Sequence, residues 1–260
     1  MPVQTFVRAG LVALAASALG TTNADIIAFD LVNSGSQNLT EYNNPWTDAF
    51  GSAGDGFQIY QRGVSASIPF AVVDDSNGSF PPDTQGIIGA DDMDTFFGVV
   101  DTVNSDNNAP VTAEWVFDIN GAGNLSMSID MAAMGDFENS DFFSWSYSID
   151  GGAEIMLFEG ITDEALSQDY TLEDGDTFTL NDPLTVEGLS LSNAFLNFSG
   201  LIDGTGSSLS IFLTASANGG SEAFAFRNLI INGDVMSVSE PSILLLMGLG
   251  LGLIGTTRRR

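Results

Sequence analysis

Apolar and polar residues alternate with a period of two in about a dozen short runs along this chain. The runs cover 26–32, 57–60, 95–100, 112–119, 124–131, 142–149, 155–158, 177–180, 184–191, 195–202, 208–216 and 223–231. Period two turns every second side chain to the same face, which is the mark of a strand with one face buried. Between the runs lie turn formers: Asn120-Gly121, Asp150-Gly151-Gly152, Asp203-Gly204, Asn218-Gly219-Gly220 and the acidic turns at 74–78 and 173–176. Only 163–168 (Asp-Glu-Ala-Leu-Ser-Gln) offers a helical turn. The pattern predicts an all-β, antiparallel two-sheet sandwich and excludes parallel α/β folds, which need crossover helices. We read one domain at 25–236, with a loop-rich first third over 32–94.

The charge balance removes whole classes of chemistry. The 260 residues carry 34 acids against six cations, for a formal net charge of -28, with no Cys and no His. All six cations are arginine: Arg8, Arg62, Arg227, Arg258, Arg259 and Arg260. Without a basic stripe there is no footprint for nucleic acid. Disulfides, Cys/His zinc sites, His or Cys general bases and lysine Schiff bases are all excluded. The chain is still 44% hydrophobic, so it can bury a core.

Both ends read as addresses. Arg8, the apolar run 9–19 and the small residues Thr22 and Ala24 occur in the order of a secretory signal peptide, giving 1–24 with signal peptidase cleavage after Ala24. At the other end, 243–254 is almost wholly apolar and Arg258, Arg259 and Arg260 follow. Its fifteen residues to position 257 make a thin membrane helix, against about 20 for a comfortable span. The terminal arginines place the C-terminus in the cytoplasm and the large domain outside. Glu240-Pro241-Ser242, the Leu/Gly-rich span and the Arg cluster resemble the PEP-CTERM sorting signal of Gram-negative bacteria, here 237–260, with Ser239 where the family's first proline usually stands. That resemblance implies removal of the tail by an exosortase-type membrane protease, after transient anchoring in the inner membrane. It also implies delivery to the cell surface or an exopolysaccharide matrix.

Five blocks within 94–232 carry a second resemblance. They are Asp94-Thr95-Phe96-Phe97-Gly98-Val99-Val100-Asp101, Asn124-Leu125-Ser126-Met127-Ser128-Ile129-Asp130, Gly135-Asp136-Phe137-Glu138-Asn139-Ser140-Asp141, Tyr147-Ser148-Ile149-Asp150-Gly151-Gly152 and the segment 213–228. Together they resemble jelly-roll modules of the galactose-binding or concanavalin-like type appended to secreted bacterial proteins. Arg227-Asn228 stands where such modules often carry Asp-Asn.

Asp136, Glu138 and Asp141 form a carboxylate constellation directly before a strand. Oxygen-only ligands on a loop suit Ca²⁺, which takes six to eight oxygens in irregular geometry. By resemblance to the module, Glu222 and Asp91, Asp92 and Asp94 are candidates to complete such a shell. For a sugar, Tyr42, Asn44 and Trp46 in Tyr-Asn-Asn-Pro-Trp are the best cluster, since Pro45 and two asparagines point to an irregular surface segment. Trp115 and Trp145 lie inside strands and are expected in the core. The Glu-x-Asp-x-x-Glu strand pattern of sandwich-fold glycan hydrolases is absent. The reading is an exported, non-enzymatic cell-surface or matrix protein with a structural or adhesive role and Ca²⁺ as candidate cofactor. The alternatives are a lectin-like carbohydrate-binding module that meets exopolysaccharide or a surface glycan, and a glycan hydrolase.

Overall fold

A computed structural model describes residues 24–33, 35–73 and 86–235. The expected signal peptide apart from Ala24, the turn at 74–78, and the sorting signal with Glu240, Pro241, Arg258, Arg259 and Arg260 lie outside the described residues. Among those described, no helix is long and apolar enough to cross a membrane.

The chain opens with β1 (Asp25–Val32), β2 (Gly35–Gln37), β3 (Leu39–Asn43) and β4 (Gly56–Gln61), then a short helix, α1 (Phe70–Val73). Next come β5 (Thr95–Val100), β6 (Val111–Asp118), β7 (Gly123–Met134), β8 (Phe142–Ile149) and β9 (Ile155–Thr162). A hairpin of β10 (Ser167–Thr171) and β11 (Thr177–Asn181) precedes the short β12 (Leu184–Val186) and β13 (Leu189–Ser190). The last three strands are β14 (Leu196–Ile202), β15 (Ser208–Ser216) and β16 (Ala223–Asp234).

Two seven-stranded antiparallel sheets result, with the β10–β11 ribbon apart from them. One sheet holds the order β5-β16-β7-β14, and the other holds β6-β15-β8-β9. Taken along the chain, these eight strands switch between sheets in the manner of a jelly roll. The remaining strands extend the sheets: β1, β2 and β4 beside β16 and β5, β3 beside β6, and β12 and β13 beside β9. Turn chemistry closes the tight hairpins. Asp150 (φ 49°) and Gly151 (φ 70°) link β8 to β9, and Glu187 (φ 52°) and Gly188 (φ 78°) link β12 to β13. Both pairs have the two positive φ values that a right-twisted hairpin prefers.

The inward side chains of both sheets form one core. In β6 the alternation is complete, with Val111, Ala113, Trp115 and Phe117 buried between exposed or half-buried neighbours. Aromatic rings run through this core in contact, from Tyr42 to Trp115, Trp145, Phe226, Phe143, Phe224 and Phe137, with successive centroids 4.9–5.6 Å apart. Trp115 and Trp145 are both fully buried, and the Trp115 indole N–H donates to buried Asp30 at 2.9 Å. Alternation is lost in β5, where all six residues are buried. The reason is a second core on the outer face of that sheet. There α1, Ile87, Ile88 and the β10–β11 ribbon (Tyr170, Leu180) cover Phe96, Val100, Met134 and Ala225.

Two expectations are corrected. Residues 163–168 do not make a helical turn. The Asp163 carboxylate accepts the Ala165 N–H at 3.0 Å, its carbonyl accepts the Leu166 N–H, and the chain reverses into β10. The segment 32–94 is also more ordered than a loop: β2 and β3 are edge strands, and α1 lies within it.

Candidate functional site

Among the described residues, two places correspond to the sites expected from the sequence. The first is built by two connections at the same end of the sandwich, β7 to β8 and β15 to β16. Pairing of Ala223 with Met134 and of Ser216 with Phe142 forces those connections together. Glu138 and Asp141 come from one and Glu222 from the other, each placing a carboxylate oxygen within 4.8 Å of the others. Asp141 is 1% exposed, and its carboxylate accepts the backbone N–H groups of Glu138 (2.8 Å) and Asn218 (3.1 Å). The Thr162 hydroxyl donates to the Glu138 carbonyl at 2.8 Å and fixes the loop to β9.

Glu222 is 6% exposed, and its Oε2 is buried without a hydrogen-bond partner. Its side chain runs between two glycines. A Cβ at Gly135 would lie 2.7 Å from Glu222 Cγ, and one at Gly219 would lie 2.5 Å from Cδ. Burial, then the charges of Asp141 and Glu138, push the Glu222 carboxyl up to about 9. Glu138 is raised as well, first by desolvation and then by Asp141. Three carboxylates this close cannot all ionise unless a cation joins them. The donor set is oxygen only, which fits a hard cation such as Ca²⁺ or Mg²⁺.

Of the carboxylates expected here, Glu138, Asp141 and Glu222 come together, and Asp136 is exposed and outside the group. Asp92 is committed elsewhere: it pairs with Arg227 at 2.5 Å and accepts the Asp94 N–H at 2.9 Å. Arg227 also approaches Asp130 and lies 4.0 Å from the Phe195 ring centre, so Arg227-Asn228 belongs to a structural ion-pair network.

The second place surrounds Trp46. Tyr42 lies in β3, paired with Trp115, and packs its ring onto the core instead of standing in a loop. Burial pushes its phenol up to about 12. Asn44 is a bracket: its amide N–H₂ donates to the Phe57 carbonyl (2.8 Å) and Tyr42 Oη (3.0 Å), and its oxygen accepts the Trp46 N–H. Trp46 alone of the three faces a cleft. Its half-buried ring lies 6.2 Å from Phe50 with planes 18° from parallel. The two rings border a cleft of about 260 Å³ with Asp48, Asp55 and Gln58. A neighbouring hollow of about 340 Å³ shares Asp48, Gln58 and Tyr60 and extends it toward Ser65. Gln58 Nε2 donates to Asp48 and to Tyr60 Oη, both at 3.3 Å. Asp55 is raised by burial and by Asp106.

Phe50, Asp48, Asp55 and Gln58 were not foreseen. Phe50 stands four residues after Trp46 and carried a usable signal, but Gln58 reaches the cleft only because β4 pairs with β5.

No protein-family model matches the chain, and no curated protein matches it. Among solved structures it is similar to the K3 cleaved adhesin domain of Lys-gingipain from Porphyromonas gingivalis, at 10% identity and TM-score 0.40, covering 81% of this chain and 99% of that one. It is similar to the CBM22-1 xylan-binding domain from Paenibacillus barcinonensis at 7% identity and TM-score 0.33, covering 83% and 99%. It is also similar to CBM32-1 from a family 31 glycoside hydrolase of Clostridium perfringens, at 12% and 0.23, covering 76% and 98%. Likeness at this level transfers no residue and no ligand to this chain.

Proposed function

We propose that this chain is an exported, non-catalytic carbohydrate-binding β-sandwich whose loop end is fastened by a divalent cation. The observation that carries the reading is the Trp46–Phe50 pair beside a cleft lined with Asp48, Asp55 and Gln58. A pyranose has an apolar C–H face and a hydroxyl rim, and a site for it needs an aromatic surface next to a few fixed polar groups. The carboxylate trio serves a different purpose. With Asp141 and Glu222 buried, a sugar cannot reach it, and its oxygens lie closer than the 5–9.5 Å carboxyl separations of glycosidases. Ca²⁺ bound by Glu138, Asp141 and Glu222 would tie the β7–β8 and β15–β16 connections together.

The destination follows from the two ends: signal peptidase cleavage after Ala24, then exosortase-type removal of the tail beyond Glu240-Pro241. A glycan-binding domain released there would perform the structural or adhesive role expected in an exopolysaccharide matrix. The test is affinity electrophoresis in gels holding a panel of polysaccharides. At least one polymer should retard the protein, and Trp46→Ala should weaken that retardation about tenfold, the equivalent of about 1.4 kcal/mol of lost stacking. No retardation by any polymer, or full retention by Trp46→Ala, rejects the reading.

A further inference from the structure

Neither arginine of the described domain lines the Trp46 cleft. Between 25 and 236 the cations are Arg62 and Arg227, and the chain has no lysine or histidine. Arg62 Nη2 donates to the Val73 and Ile88 carbonyls, both at 2.8 Å. Arg227 is held by Asp92 and Asp130. The charged side chains that line the cleft are all negative. Asp48 and Asp55 line it, and Asp106 stands behind, accepting the Gly51 N–H at 2.9 Å. A carboxylate or sulfate entering here would meet like charge a few ångströms away, inside the ~8 Å over which physiological salt leaves charges unscreened.

Hydrogen bonding points the same way. Ionised carboxylates only accept, and the Gln58 N–H₂ already donates within the cleft. Asp48 and Asp55 therefore call for donors from the ligand. Adjacent hydroxyl groups supply these, while a uronate adds further acceptors.

We infer that the cleft takes an uncharged, hydroxyl-rich polysaccharide and rejects polyuronates and sulfated glycans. This inference rests on the carbohydrate-binding reading. The experiment runs the full chain in mild detergent on native gels containing uncharged glucans and xylans, polygalacturonate, or the same polygalacturonate with its carboxyl groups reduced to alcohols. Retardation is expected in uncharged polymers and not in polygalacturonate. Trp46→Ala should lose it. So should Asp48→Asn, which keeps the fold because Asp48 is exposed and its φ of 55° suits asparagine. Retardation by polygalacturonate that disappears in either variant overturns the inference and leaves carbohydrate binding standing. Silence in every polymer removes the underlying reading instead.

Discussion

At Glu222, folding buries a carboxylate oxygen away from any protein donor and beside two other carboxylates. Burial and then the charges of Asp141 and Glu138 push the folded carboxyl up to about 9, against 4.5 for an unperturbed glutamate, so the folded chain holds this proton more tightly than the unfolded one. Without metal, that contribution to stability is complete below about pH 4.5 and is lost as pH rises toward 9. Desolvation raises Asp30 and so acts in the same direction. In EDTA, the melting temperature is expected to fall between pH 5 and pH 8. Millimolar Ca²⁺ should raise it at pH 8, since a cation needs the ionised form. For a site of 10⁻⁴–10⁻³ M affinity, ~10 mM Ca²⁺ adds about 1.4–2.7 kcal/mol. Glu222→Gln should melt higher than wild type in EDTA at pH 8 and lose the Ca²⁺ response. Identical melting of the wild type with and without Ca²⁺ would count against the cation site.

Among the elements, β8 and β9 show how a single glycine sets a spacing. Gly160 faces Phe143 across the ladder, and a Cβ there would run into the Phe143 ring, itself in contact with Phe224 and Phe226. Gly160→Ala should cost about 1–3 kcal/mol in urea unfolding, as overpacking of a filled core does; an unchanged midpoint would show that the ring can move aside. Strands of this central kind were legible in the sequence because one buried face writes a period of two. The expected runs 142–149 and 208–216 coincide end to end with β8 and β15, and 95–100 coincides with β5 although both of its faces are buried. The edge strand β3 and the ribbon strand β10 were not legible. In β3 no residue is fully buried, and in β10 only Tyr170 is, so backbone pairing holds them and their side chains record little. The candidate sites divide the same way. Glu138 and Asp141 stand three apart and could be read locally, as could Phe50 beside Trp46, whereas Gln58 comes to the cleft on β4.

On the scale of the whole molecule, the inward faces of the two sheets among the described residues bury one common core. If the tail is the proposed removable address, a chain lacking 243–260 should be secreted in soluble form with the melting temperature of the intact protein; persistence in the membrane fraction would contradict that address. The contiguous rings between Tyr42 and Phe137 give the molecule an optical property as well. Two of its three indoles, Trp115 and Trp145, sit sealed in that series 5.6 Å apart, where excitation passes readily between them and dissolved quenchers do not penetrate. The third, Trp46, borders the Asp48–Asp55 cleft and is partly open to solvent. Its emission is thus a native dye placed at the mouth of the cleft, against a steady background from the interior.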